Sequence, residues 1–253
     1  MALISPRFDA LVDKHFDGKT ELTLWKWILI HKGKGPKSEL YIDHSVIEFL
    51  YSNKQIWDRI STNLELSKYC HQSIWDVFDH QIWPIFATNI RHFGFCGADL
   101  DKLRRRISST ILADLVQLNS IDSGYLFPDG IADDGPNATA GQALAKWLHT
   151  PTKNGQPKRL YRNGYVGPLK LEWVNNFKET FRRATTSVSY NIQLYFFMEP
   201  TSIEQFELVN EMTNEKLTLK YSEEYNDGSL YNWLLKRCPI GETETAPVKW
   251  KDR

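Results

Sequence analysis

Cysteine is scarce in this chain. Cys70, Cys96 and Cys238 are the only three in 253 residues, and no Cys-x-x-Cys pair occurs. An odd, scattered set gives neither a disulfide framework nor a thiolate zinc site, so a reducing, cytoplasmic setting is expected. Long apolar runs are missing as well. The longest, Leu22 to Ile30, is broken by Lys26 and is far too short to span a bilayer. The first residues, Met1 to Pro6, lack the basic start and apolar stretch of a secretory signal, so none is expected. A surplus of charge is also absent, with 31 basic and 31 acidic side chains.

The common catalytic signatures are absent too. There is no Gly-x-Ser-x-Gly elbow, no His-Glu-x-x-His zinc helix and no Gly-x-Gly-x-x-Gly after a strand. Gly33-Lys34-Gly35-Pro36-Lys37 lacks the Gly-Lys-Ser/Thr ending of a phosphate loop, because no hydroxyl follows the lysine to meet a magnesium ion. Asp129, Asp133 and Asp134 lack the spacing and closing Glu of a calcium loop. No organic cofactor is expected.

What the chain does have is aromatic mass and helical periodicity. Aromatics make up 13% of residues, with nine Trp, which points to large packed or binding surfaces. Phe8, Leu11, Val12 and His15, then Leu22, Trp25, Ile28 and Leu29, recur at helical spacing. Asp43 and Ser45 suit the start of a helix carrying Val46, Phe49 and Leu50. A stripe from Ile74 to Ile90 reads as a helix that Pro84 kinks or splits. Leu100 to Leu118 reads as one long amphipathic helix. Residues 119–139 and 151–167 read as long loops, with a short helix at Ala140–Leu148 between them.

After Pro168, Leu169, Trp173, Phe177 and Phe181 recur every four residues as a helix. Val188 to Phe196 alternates strictly as a strand. Phe206–Val209 and Leu217–Tyr221 read as a hairpin, and Leu230, Trp233 and Leu234 suggest a short helix. The expected fold class is α+β. A helix-rich N-terminal half, residues 1–120, precedes a smaller C-terminal part, residues 140–240, with a strand, a β-hairpin and short helices, as two domains or one.

Charge divides unevenly along the chain. Residues 102–183 hold 13 basic and 7 acidic groups, which makes this segment the place to expect an anionic partner. Lys158, Arg159, Arg162, Lys170, Lys178 and Arg182 would neutralise phosphates. Tyr161 and Tyr165, interleaved with them, would stack on unpaired bases. Arg104, Arg105 and Arg106 span about 200° of a helix and cannot all face one ligand.

Asp43-His44, Asn63 and Cys70-His71 form a second constellation. Their order resembles the HNH nucleases, the ββα-metal family. That resemblance implies His44 as the base that activates water, Asn63 as its orienting partner, and Asp43 and His71 as ligands of a divalent metal, with His80 as a further ligand. The 19-residue gap from His44 to Asn63 and the absence of flanking cysteine pairs depart from that family.

The expected function is a non-catalytic nucleic-acid-binding or assembly subunit. It would use a basic-aromatic surface in residues 153–183 and associate with other protein subunits or with itself. The alternatives are an HNH-like metal-dependent nuclease centred on His44, and a protein–protein structural component with no nucleic acid. No membrane partner is expected.

Overall fold

The computed structural model describes residues 21–23, 29–32, 39–42, 44–54, 61–66, 72–95, 97–129, 131–163, 171–196, 204–222 and 231–241. The chain divides into two compact units, Met1–Trp147 and Leu148–Arg253. Among the described residues, no helix is long and apolar enough to cross a membrane.

The first unit is built on parallel strands. β1 (Glu21–Thr23) is followed by an antiparallel pair, β2 (Leu29–Lys32) and β3 (Glu39–Ile42), and by α1 (His44–Ser52). β4 (Ser61–Glu65) lies parallel to β1. α2 (Gln72–Val77) then runs through a π-helical turn, Phe78–Ile82, into a last segment, Trp83–Phe86. The wide turn directly precedes Pro84, which supplies no backbone N–H and sits in the first turn of that last segment.

β5 (Ile90–Gly94) pairs parallel with β4, and β6 (Ser120–Asp122) pairs parallel with β5. Between them lie α3 (Gly97–Arg106) and a one-turn α4 (Ile111–Asp114). Adjacent parallel strands need crossover connections, and α2 and α3 supply them. The crossovers bury Trp75, Phe78, Ile82, Phe86, Leu100 and Leu103, and the Trp83 ring lies 6.2 Å from Phe93 on β5. α5 (Ala140–Leu148) follows a loop that Arg104 holds down.

In the second unit the strands follow the order β7–β8–β11–β10–β9. Its elements are β7 (Lys158–Asn163), α6 (Leu171–Arg182), β8 (Tyr190–Phe196), β9 (Phe206–Asn210), β10 (Glu215–Ser222) and β11 (Tyr231–Pro239). β7 and β8 are parallel and the remaining pairs antiparallel. α6 is the crossover between β7 and β8 and covers one sheet face. Phe177 lies 6.3 Å from Tyr190, Lys178 stands 4.1 Å over the Phe206 ring, and Arg237 sits 5.2 Å from the Phe181 ring.

The expected helix-rich N-terminal half is corrected by this architecture. The segment with the helical set Leu22 to Leu29 holds β1 and the start of β2. β4, β5 and β6 fall where no strand was expected. Strands of a parallel sheet are covered on both faces and lose the alternation that reveals a half-buried strand. In β4, Thr62, Asn63 and Leu64 are buried in succession; in β5, His92, Phe93 and Gly94 are.

The expected long helix from Leu100 to Leu118 stops at Arg106. Ser108 Oγ donates to Asp114 Oδ2 at 2.7 Å and accepts from the Thr110 amide at 3.2 Å, and such local side-chain bonds compete with the helix. β7 lies inside an expected loop. β11 replaces an expected short helix, because this inner strand buries Asn232 and Trp233, then Arg237 and Cys238, on both faces. α5, α6, β8 and the β9–β10 hairpin fall where periodicity places them. The expected features at residues 8–15, 33–37 and 56–60 lie outside the described residues.

Candidate binding face

β7 is a cationic strand, and its alternation sends its charges two ways. Lys158, Leu160 and Arg162 point to the face covered by α6, where Lys158 is 5% and Arg162 4% exposed. Burial pushes the Lys158 amine down to about 7 and the Arg162 guanidinium down to about 10. These two cations are therefore turned inward, beside Tyr190 and Leu194 in the register. Arg159 and Tyr161 point to the opposite face and stay partly exposed.

That opposite face carries a polar, cationic and aromatic array in strict register. One row reads Arg159–Asn191–Lys236–Thr218–Glu207 across β7, β8, β11, β10 and β9. The next reads Tyr161–Gln193–Leu234–Lys220, and a third pairs Tyr195 with Asn232. Lys216 lies between Cys238 and Val209 on the same face. Asn191, Gln193, Tyr195, Lys216 and Lys236 are partly exposed and Lys220 is exposed. Two amides in this array are under-used. Asn191 Oδ1 and both polar atoms of Asn232, a residue 1% exposed, make no hydrogen bond, whereas most buried polar atoms are paired.

The remaining expected site residues are dispersed. Lys178 and Arg182 lie on α6, across the sheet from this array; Arg182 is exposed and 3.8 Å from Glu179. Tyr165, Lys170, Asp43 and His71 lie outside the described residues. His44 opens α1. Asn63 is buried in β4, register partner of His92, and the His92 Nδ1 and Ser120 Oγ atoms are 2.9 Å apart. This Asn63–His92–Ser120 row is a buried polar seam of the first unit; the 7% and 5% exposure of His92 and Ser120 gives a substrate little access.

His80 is exposed, 2.7 Å from Asp79 Oδ1, and raised above the usual imidazole range by its bonds to the Asp76 carbonyl and Asp79. Among the described residues no group of three or more His, Cys, Asp or Glu is placed to hold a metal ion.

Arg159 and Tyr161 of this face fall within the expected basic-aromatic segment; Lys216, Lys220, Lys236, Asn191 and Gln193, which were not expected there, join them only through strand pairing. The alternation of Ser189, Asn191 and Gln193 between apolar neighbours was the one local signal of a polar sheet face. No protein-family model, no curated protein and no solved structure matches the chain.

Proposed function

We propose that the second unit binds single-stranded nucleic acid on the sheet face opposite α6, without catalysis. The observation that carries this reading is the in-register array of Arg159, Lys236, Lys216 and Lys220 with Tyr161, Tyr195, Asn191 and Gln193. Cations spaced across strands neutralise successive phosphates. Partly exposed tyrosines offer stacking platforms, worth ~1–3 kcal/mol per base. Amides supply a donor and an acceptor together, the pair a base edge presents.

The test is fluorescence anisotropy with a labelled single-stranded RNA of mixed sequence at low salt. Arg159→Ala with Lys236→Ala should weaken binding by more than about tenfold, and Tyr161→Ala by a comparable factor. Arg182→Ala on α6 should leave it unchanged. Absence of binding by the intact chain, or a loss in Arg182→Ala equal to that in the sheet variants, sinks this reading.

A further inference from the structure

β9 ends the strand order of the second unit, and no described strand pairs with its far side. Such an edge offers its outward N–H and C=O groups to any extended chain that reaches it. Two large apolar side chains stand in solvent there. Val209 on β9 is 56% exposed, and Met212 in the following turn is 76% exposed. Glu204, Glu207 and Glu211, all exposed, lie in the same stretch of chain. None of these three carboxylates is in an ion pair among the described residues. Lys216, opposite Val209 in the register, and Lys178, 4.1 Å over the Phe206 ring, are nearby cations, against which the three exposed carboxylates leave a small negative surplus.

The edge is also held rigid. Asn210 donates from Nδ2 to the Phe181 and Ala184 carbonyls at 2.7 and 3.0 Å, which ties β9 to the end of α6. Its Oδ1 accepts from the Met212 and Thr213 amides at 2.9 and 3.3 Å and shapes the turn. A pre-shaped strand loses little conformational freedom when a partner adds to it. The charge pattern selects the partner. Two β9 strands paired antiparallel would bring Glu207 against the acidic edge of the other copy, an unfavourable cross-strand arrangement. A strand carrying Lys or Arg meets the opposite charge.

We infer that β9 is a docking edge for an extended basic segment of a partner protein. That segment adds as a further strand, places apolar side chains on Val209 and Met212, and directs its cations toward Glu204, Glu207 and Glu211. Glu207 and Val209 lie at the β9 end of the sheet face that carries the proposed nucleic-acid array, but docking uses the open β9 backbone edge rather than the cations and tyrosines of that array, so each reading stands without the other.

The experiment uses the full chain and a short synthetic peptide of alternating Lys and Val with blocked ends. Calorimetry should detect binding at low salt, and hydrogen exchange should slow at the β9 amides. Glu204→Gln with Glu211→Gln should weaken peptide binding by about tenfold or more and leave RNA affinity undiminished. Val209→Ser with Met212→Ser should weaken the peptide as well while thermal unfolding stays cooperative. The same peptide N-methylated at every residue should not bind, because neither of its edges can complete the ladder. Equal binding of the methylated peptide, no binding at all, or protection confined to residues away from β9 overturns the proposal. A dimer of the free chain that Val209→Ser abolishes also overturns it, since the occupant is then a second copy.

Discussion

At the scale of single residues, the second unit is organised by one buried ion pair. Glu215 is fully buried and Arg237 is 2% exposed. Arg237 donates from Nε and Nη2 to Glu215 Oε2 at 3.0 and 2.6 Å, and Nη2 also reaches the Thr186 carbonyl at 2.9 Å. Glu215 Oε1 accepts from Ser187 Oγ and the Val188 amide at 2.9 and 2.8 Å. Removing either partner leaves an uncompensated buried charge, at a cost of ~3–5 kcal/mol. Glu215→Gln and Arg237→Gln should each show that loss in urea unfolding, and the double variant should lose less than the two added.

His149 extends the network. Its ring lies 5.6 Å from Tyr190 and 5.9 Å from Phe177. Burial, with help from the Arg237 and Lys158 charges, holds it down to about 4. The unfolded chain then takes up a proton between about pH 6.5 and 4 that the folded chain does not, so stability falls as pH drops through that window. Lys158, held down to about 7 from 10.5 by burial, acts in the same sense higher up: stability rises with pH from about 7 to 10.5. A His149→Leu variant compared with the parent by chemical unfolding should flatten the acid limb alone. An unchanged acid limb would mean that His149 protonates freely in the folded state.

At the scale of elements, the loop between β6 and α5 is packed rather than loose. Arg104 donates from Nη2 to the Gly135 carbonyl at 2.7 Å and from Nη1 to the Ala138 carbonyl. Arg106 turns instead to Asp76 and Asp79 near α2, and Arg105 faces solvent. Three consecutive arginines thus take three directions, as a turn of about 100° per residue requires. The Asp129 amide bonds the Gly141 carbonyl at 3.0 Å, and a Cβ on Gly141 would come 2.9 Å from the Phe127 carbonyl oxygen and 2.8 Å from the Asp129 Cβ. Gly141→Ala should therefore destabilise by ~1–3 kcal/mol, read as a lower unfolding midpoint. A gain in stability, the usual result in a free helix, would show that the loop does not rest there.

Legibility in the sequence follows the same physics. β8 was readable because Tyr190, Ile192, Leu194 and Phe196 are buried while Asn191, Gln193 and Tyr195 are partly exposed. β4 and β5 were not, because buried residues follow one another on both faces, and β11 was not, because buried Asn232, Trp233, Arg237 and Cys238 break its alternation; buried polar groups such as Asn63, His92, Asn232 and Arg237 also interrupt the apolar pattern. β7 was hidden by its cations: Lys158 and Arg162 look like surface residues until their strand is paired with β8. The candidate face stayed out of reach for a related reason, since it gathers residues from β7 to β11 that no local spacing connects.

At the scale of the whole molecule, balanced charge makes the proposed binding a local affair. Equal numbers of basic and acidic side chains and a pI near 7.1 leave no net field to draw a polyanion from a distance. Salt dependence must then come from the cations that touch phosphate. On the proposed face Arg159, Lys216, Lys220 and Lys236 are the four cations in register, and each phosphate neutralised on a single strand would contribute about −0.7 to the slope of log K against log salt. The expected slope for RNA is therefore about −3, and Lys236→Ala should reduce its magnitude by about 0.7. A slope near −6 or steeper would require cations beyond the sheet face, and α6 with Lys178 and Arg182 would then be the surface to test. A slope near zero would move the energy to Tyr161 and Tyr195, whose replacement by Leu would then carry most of the loss.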